Sequence, residues 1–211
     1  LGLLSGNYGT VTYDGEDQDV LADTYNNLVI GGAIGTTKTL DGTVSVYNGN
    51  FTVNTGVTCA VEDKILTVYY SNTFVDINGA ITISTGTINA HGGFDATGGF
   101  VTFTDAGNLN LSSVVTDLGT LSTSNGTVTY DGVDQTVFSD VYYNLTAGGG
   151  SGIKTLGGDV TVAGDFTVDT LVTTAMGGNN LTVTDITDID GTLAVADNTL
   201  TLDGTSDIDG S

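Results

Sequence analysis

The 211 residues carry 39% hydrophobic side chains, enough to line a sizeable core and to exclude a disordered chain. Against 25 acids stand three cations, Lys38, Lys64 and Lys154, and the formal net charge is -22. Nucleic-acid recognition and attachment to anionic lipid both need basic side chains, so neither is expected as a function.

Pro is absent and Gly numbers 32, as suits a chain that turns repeatedly through Gly, Asn and Asp. No apolar run reaches the ~18 residues of a membrane span, so no membrane insertion is expected. The chain starts without Met and stops inside a repeating pattern, and it is expected to be a segment of something longer.

In chain order, the first recognisable unit is Gly9-Thr-Val-Thr-Tyr-Asp-Gly15, which returns at Gly126-Thr-Val-Thr-Tyr-Asp-Gly132. Gln18, Val20, Tyr25, Asn27 and Leu28 return in step as Gln135, Val137, Tyr142, Asn144 and Leu145. Lys38-Thr-Leu40 then meets Lys154-Thr-Leu156, and Phe51-Thr-Val53 meets Phe166-Thr-Val168. The apolar residues alternate with polar ones at Val44/Val46, Ile81/Ile83, Val101/Phe103, Leu181/Val183 and Leu200/Leu202, a two-residue period that predicts strands. Asn-Gly, Asp-Gly and Gly-Gly pairs between the strands supply tight turns.

A shorter step appears in the second half. Leu181-Thr-Val-Thr and Asp188-Ile-Asp-Gly191 return 19 residues later as Leu200-Thr-Leu-Asp and Asp207-Ile-Asp-Gly210. Gly107-Asn-Leu-Asn-Leu111 returns with the same step as Gly126-Thr-Val-Thr-Tyr130. A β-sandwich has no reason to repeat every 19 residues, whereas a solenoid stacks each coil on the next. The expected fold is therefore all-β: one continuous parallel β-solenoid over 1–211, with coils of about 19 residues and roughly eleven of them. A long repeat spans 7–121 and, incompletely, 124–211. Tandem β-sandwich domains are the alternative.

The run Gly126-Thr-Val-Thr-Tyr-Asp-Gly-Val-Asp-Gln-Thr-Val137, with Tyr142-Tyr-Asn-Leu145 and Lys154-Thr-Leu-Gly-Gly158, resembles the β-strand repeats of very large bacterial surface proteins. The resemblance covers about residues 7–53 and 124–168, and the remaining coils are similar in style to filamentous-haemagglutinin-like β-helices. It implies secretion to the cell surface or beyond, a fibrous stalk, and adhesion or matrix formation. Partners would be copies of the chain or further repeats of it, with surface polysaccharide as a further candidate.

The candidate metal ligands are Asp188, Asp190, Asp207 and Asp209. A 19-residue coil sets Asp188 over Asp207 and Asp190 over Asp209, about 4.8 Å apart, where like charges repel. Ca²⁺, which takes six to eight oxygens, would relieve that repulsion, and solvated turn carboxylates are the plainer account. No cofactor is expected to be required. Thr182, Thr184, Thr199 and Thr201 flank inward apolar residues and form a possible outward threonine array, like the ice-binding face of β-solenoid antifreeze proteins. Thr is also simply a good outward strand residue.

Catalysis is not expected, because Arg is missing and little is left to bind an anionic sugar or an oxyanion. Cys59 reads as a small buried hydrophobe and His91 as a solvent-exposed turn residue. Lys38 and Lys154 are expected to be ordinary exposed lysines, with an ion pair to Asp41 or Asp159 or a Lys–Asn crosslink as alternatives. Tyr69-Tyr70 and Tyr142-Tyr143 are each expected to send one ring inward.

Overall fold

The computed structural model describes residues 9–210. Every regular element among them is a short strand, and there are 30. Three strands make a coil. Thr10–Tyr13, Gln18–Val20 and Thr24–Tyr25 form the first; Asn27–Ile30, Thr37–Leu40 and Val44–Val46 form the second and pair beneath them in parallel. About ten such turns stack, each roughly 20 residues from the next. At about 4.8 Å per coil the stack is on the order of 48 Å long. Because every strand pair is parallel, the tandem β-sandwich alternative is overturned.

The mean coil of roughly 20 residues lies close to the 19-residue step, and about ten coils stack among the described residues. Thr10 pairs with Asn27, 17 residues on, whereas Leu28 pairs with Phe51, 23 on. Turns absorb the difference, since a solenoid fixes strand register and leaves corner length free. Where the sequence step was read directly it matches the register: Leu181 lies on Leu200, Asp188 on Asp207 and Asn108 on Thr127.

Alternation fills the interior. On the first face Leu28, Phe51, Val75 and Phe94 stack in one buried column. On the third face Val68, Ala90, Leu111, Tyr130 and Ala147 do the same. Each fully buried Leu, Val, Ile or Phe is worth about 1.5–3 kcal/mol, and no coil closes a core without its neighbours.

The three faces are not equivalent. The third carries one sheet of ten strands, unbroken from Thr24–Tyr25 to Ser206–Ile208. Each of the others is split into a sheet of six strands and a sheet of four. The split separates Val115–Asp117 from Gln135–Val137 on the first face, and Thr120–Leu121 from Val141–Tyr142 on the second.

The long repeat explains where the split falls. Thr10–Tyr13 is the first strand and its repeat Thr127–Tyr130 the eighteenth, so one block is 17 strands long. Three strands to a coil do not divide 17. The second block therefore begins one face short of a full turn: Thr10–Tyr13 lies on the first face and Thr127–Tyr130 on the third.

Candidate functional site

The two blocks open with the same polar device. Tyr13 and Tyr25 meet hydroxyl to hydroxyl at 2.8 Å, with ring centroids 6.3 Å apart and planes at 77°. Tyr130 and Tyr142 repeat this at 3.0 Å, 6.4 Å and 76°. Both pairs are held by backbone: Leu21 N–H donates to Tyr13 Oη and Tyr25 Oη donates to the Leu21 carbonyl. Phe138 plays both roles in the second block. All four rings are buried. Burial pushes the Tyr130 phenol up to about 12 and raises those of Tyr25 and Tyr142.

Lys38 and Lys154 belong to the same device, and the expectation that they are exposed is corrected: both are fully buried. Lys154 Nζ donates to the carbonyls of Gly132 and Val133, and Lys38 Nζ to Thr36 Oγ1 at 2.8 Å. Neither pairs with a carboxylate or an Asn side chain. The one ion pair among the described residues is Lys64 with Asp63. Burial lowers the Lys154 pKa, opposed by Asp131, Asp134 and Asp169. The physical reason is register. Lys154 sits in the inward column between Gln135 and Thr174, from which it reaches the turn carbonyls of the coil above, and Lys38 sits between Gln18 and Cys59, from which it reaches the Thr36 hydroxyl of its own coil.

Gln135 ties the second block to the first. Its Oε1 accepts the Gly132 N–H at 2.6 Å, and its Nε2 donates to the carbonyls of Leu111 at 2.8 Å and Ser113 at 2.9 Å. Gly132 is needed there, because a Cβ would stand 2.3 Å from the Ser112 carbonyl oxygen. Beyond this corner the blocks part. No backbone bond joins Val115–Asp117 to Gln135–Val137, and a cleft of about 580 Å³ opens between them. Ser112, Ser113, Val114 and Val115 form one wall; Asp134, Gln135, Thr136, Ile153 and Thr155 form the other. Sequence reasoning placed nothing here. The signal was the recurrence of Gln18 and Lys38 as Gln135 and Lys154, in which the lysines were read as surface residues and the glutamines only as part of the repeat.

The four aspartates lie elsewhere. Asp188 and Asp207 are register partners on the outer side of the continuous sheet, and Asp190 and Asp209 follow directly after the same strands. Burial raises the Asp188 carboxyl, helped by Asp190, Asp207, Asp209 and Asp169. Among the described residues no group of three or more His, Cys, Asp or Glu side chains is arranged to hold a metal ion.

The threonines divide. Thr182 and Thr201 stack with Thr161 in an outward column. Thr184 is committed to the corner of the neighbouring coil, donating to the Ala163 carbonyl at 2.7 Å, and Thr199 lies before the strand that holds Thr201. A longer polar column runs down the continuous sheet through Thr67, Asn89, Asn110, Thr129, Thr146 and Thr167 to Asp188. Asn110 Nδ2 donates to Asn89 Oδ1 at 2.8 Å within it.

Three further readings meet the structure. Cys59 is buried as expected, and burial pushes its thiol up to about 12. His91 is half-buried rather than exposed: it packs on Tyr69 at 5.7 Å, and its Nδ1 lies 3.1 Å from Ser112 Oγ, which donates to Asp131 Oδ1 at 2.6 Å. Serine is the middle member of this chain, whereas a nucleophilic triad needs the imidazole there to take the serine proton. Tyr142 points inward and Tyr143 does not, but neither Tyr69 nor Tyr70 is buried; Tyr69 stacks on Tyr47 at 4.1 Å outside the coil. Compared with protein-family models, curated proteins and solved structures, the chain matches none.

Proposed function

We propose that this chain is a structural and adhesive segment of a secreted protein, located at the cell surface or in an extracellular filament and associating through stacked β-coils. The observation that carries the reading is the ten-strand parallel sheet that runs unbroken through both blocks. Such a sheet fixes length and direction, and parallel strand edges of this kind recruit further strands. The strongly acidic composition keeps a long rod solvated and separate from nucleic acid and anionic membrane. In this reading the segment is not an enzyme, requires no cofactor, and has copies of itself or further repeats as partners. Negative-stain electron microscopy and sedimentation over a concentration series test it: end-to-end or lateral assemblies are expected. Monodisperse short particles at every concentration would sink it.

The polar column on the continuous sheet supports a second reading, a binding module for ice, a Ca²⁺-bridged polysaccharide or a mineral. Its members from Asn89 to Thr167 are uncharged and repeat at the coil spacing, as a flat periodic ligand requires. A thermal-hysteresis assay decides for ice. Melting with and without chelator decides for calcium held by Asp188, Asp190, Asp207 and Asp209, a shift being expected only if the ion is bound.

A further inference from the structure

At the block junction two faces lose their strand pairing, and on the first of them the opposing strand edges line a cleft. In parallel pairing a strand uses alternate residues toward each neighbour. Phe94 N–H donates to the Val114 carbonyl, so the N–H and C=O of Val115 turn away from that strand and toward the gap. Gly157 N–H donates to the Val137 carbonyl, so Val137 faces the coil below and Thr136 faces the gap from the other side. Both Val115 and Thr136 line the cleft, whose volume falls within the range of ordinary binding pockets, about 300–1,000 Å³. Main-chain donors and acceptors on opposing walls match one kind of occupant, an extended backbone.

The surroundings specify its side chains. Val114 is 68% exposed, Val133 66% and Ile153 48%, three branched apolar residues on successive coils beside the opening. Above it the outward column of the first face reads Asp76, Asp95, Asp117, and Asp134 stands in the lower wall. Asp140 feels this charge as well: its carboxyl is raised by burial first and by Asp117 second. Among the described residues no free cation answers these acids: Lys154 is buried on carbonyls, Lys38 is buried far up the stack, and Lys64 pairs with Asp63. A second copy of this chain would bring 22 further negative charges to the same place. We propose that the junction cleft is a strand-acceptor site for an extended, basic segment of a partner polypeptide, which pairs its backbone with Val115 and Thr136 and sets alternating apolar and cationic side chains against Ile153 and the aspartates.

The test uses the full ¹⁵N-labelled chain and three synthetic probes. The first is acetyl-Lys-Thr-Val-Lys-Val-Thr-Lys-amide. The second is the same peptide N-methylated at alternate residues, and the third has Glu in place of each Lys. Saturating the chain with the first is expected to slow amide exchange at Val115 and Thr136 at least tenfold. The N-methylated and Glu peptides are expected to bind at least tenfold more weakly. Ile153→Lys and, separately, Val114→Lys, both at exposed positions, are expected to weaken the first peptide by a similar factor while leaving the exchange of buried core amides unchanged. Equal binding of the N-methylated peptide would reduce the effect to surface charge and overturn the proposal. Perturbations centred on Asp188 and Asp207, or unaltered exchange at Val115 and Thr136, would overturn it equally. The outcome is independent of whether the chain assembles with itself.

Discussion

The twin positions Gln18 and Gln135 allow the junction to be weighed against an internal control. Gln135→Ala removes two donor bonds to the carbonyls of Leu111 and Ser113, worth about 1 kcal/mol each, and strands the buried Gly132 N–H, a further cost of about 1–3 kcal/mol. The expected loss is about 4 kcal/mol. Gln18→Ala removes a single exposed bond, from Gly15 N–H at 2.9 Å, and the expected loss is about 1 kcal/mol. Gln135→Glu keeps the acceptor but turns a carboxylate oxygen toward the carbonyls of Leu111 and Ser113 at a buried site, and should cost at least as much as Gln135→Ala. Native-state hydrogen exchange reads these costs coil by coil, which suits a stack whose stability is close to a sum of neighbour terms. Equal losses at the two positions, or a Gln135→Ala loss below about 1 kcal/mol, would refute the claim that Gln135 couples the blocks.

Three other outcomes are expected. Brief acetylation of the native chain should modify Lys64 and spare Lys38 and Lys154, as peptide mapping will show; modification of all three with circular dichroism unchanged would contradict their burial. In alkali, a phenol whose folded value lies above the free value near 10 keeps a proton that the unfolded chain releases. The stabilisation from Tyr130 is thus complete below pH about 10 and lost as pH climbs from there through about 12, and that from Tyr142 and Tyr25 is lost in the same direction. Absorbance of their tyrosinates should rise only with loss of the strand spectrum; all nine tyrosines titrating near 10 in a folded chain would contradict this. Finally, Asp207→Asn should lower the Asp188 carboxyl toward its usual range by removing a like charge in register, as a carboxyl NMR titration measures. The raised value means that Asp188 destabilises the ladder above its folded pKa and stops doing so as pH falls through it. An unmoved titration would show that burial, and not the neighbouring charge, sets it.

Much of the architecture was legible in the residues. Period-two alternation located strands such as Val44–Val46 and Leu181–Val183, and the 19-residue step gave the Asp188–Asp207 and Leu181–Leu200 registers before any coordinates. Both are local properties: alternation follows from the pleat, and a register step follows from counting residues around one coil. The pairing of Tyr13 with Tyr25, the inward Lys38 and Lys154, and the outward Tyr69 were not legible. A lysine in an alternating strand gives no sign of direction until the column it joins is known, and its charge argued for the wrong side.

By itself, then, the order of amino acids determined that the chain is a stack of short parallel strands built from a duplicated block. Only the tertiary structure decided how the copies sit relative to each other. A repeat in sequence is measured in residues, but a place on the solenoid is measured in strands. Seventeen strands at three to a coil leave the second copy turned by one face. That remainder breaks two sheets, keeps the third whole, and opens the cleft whose walls come from three successive coils.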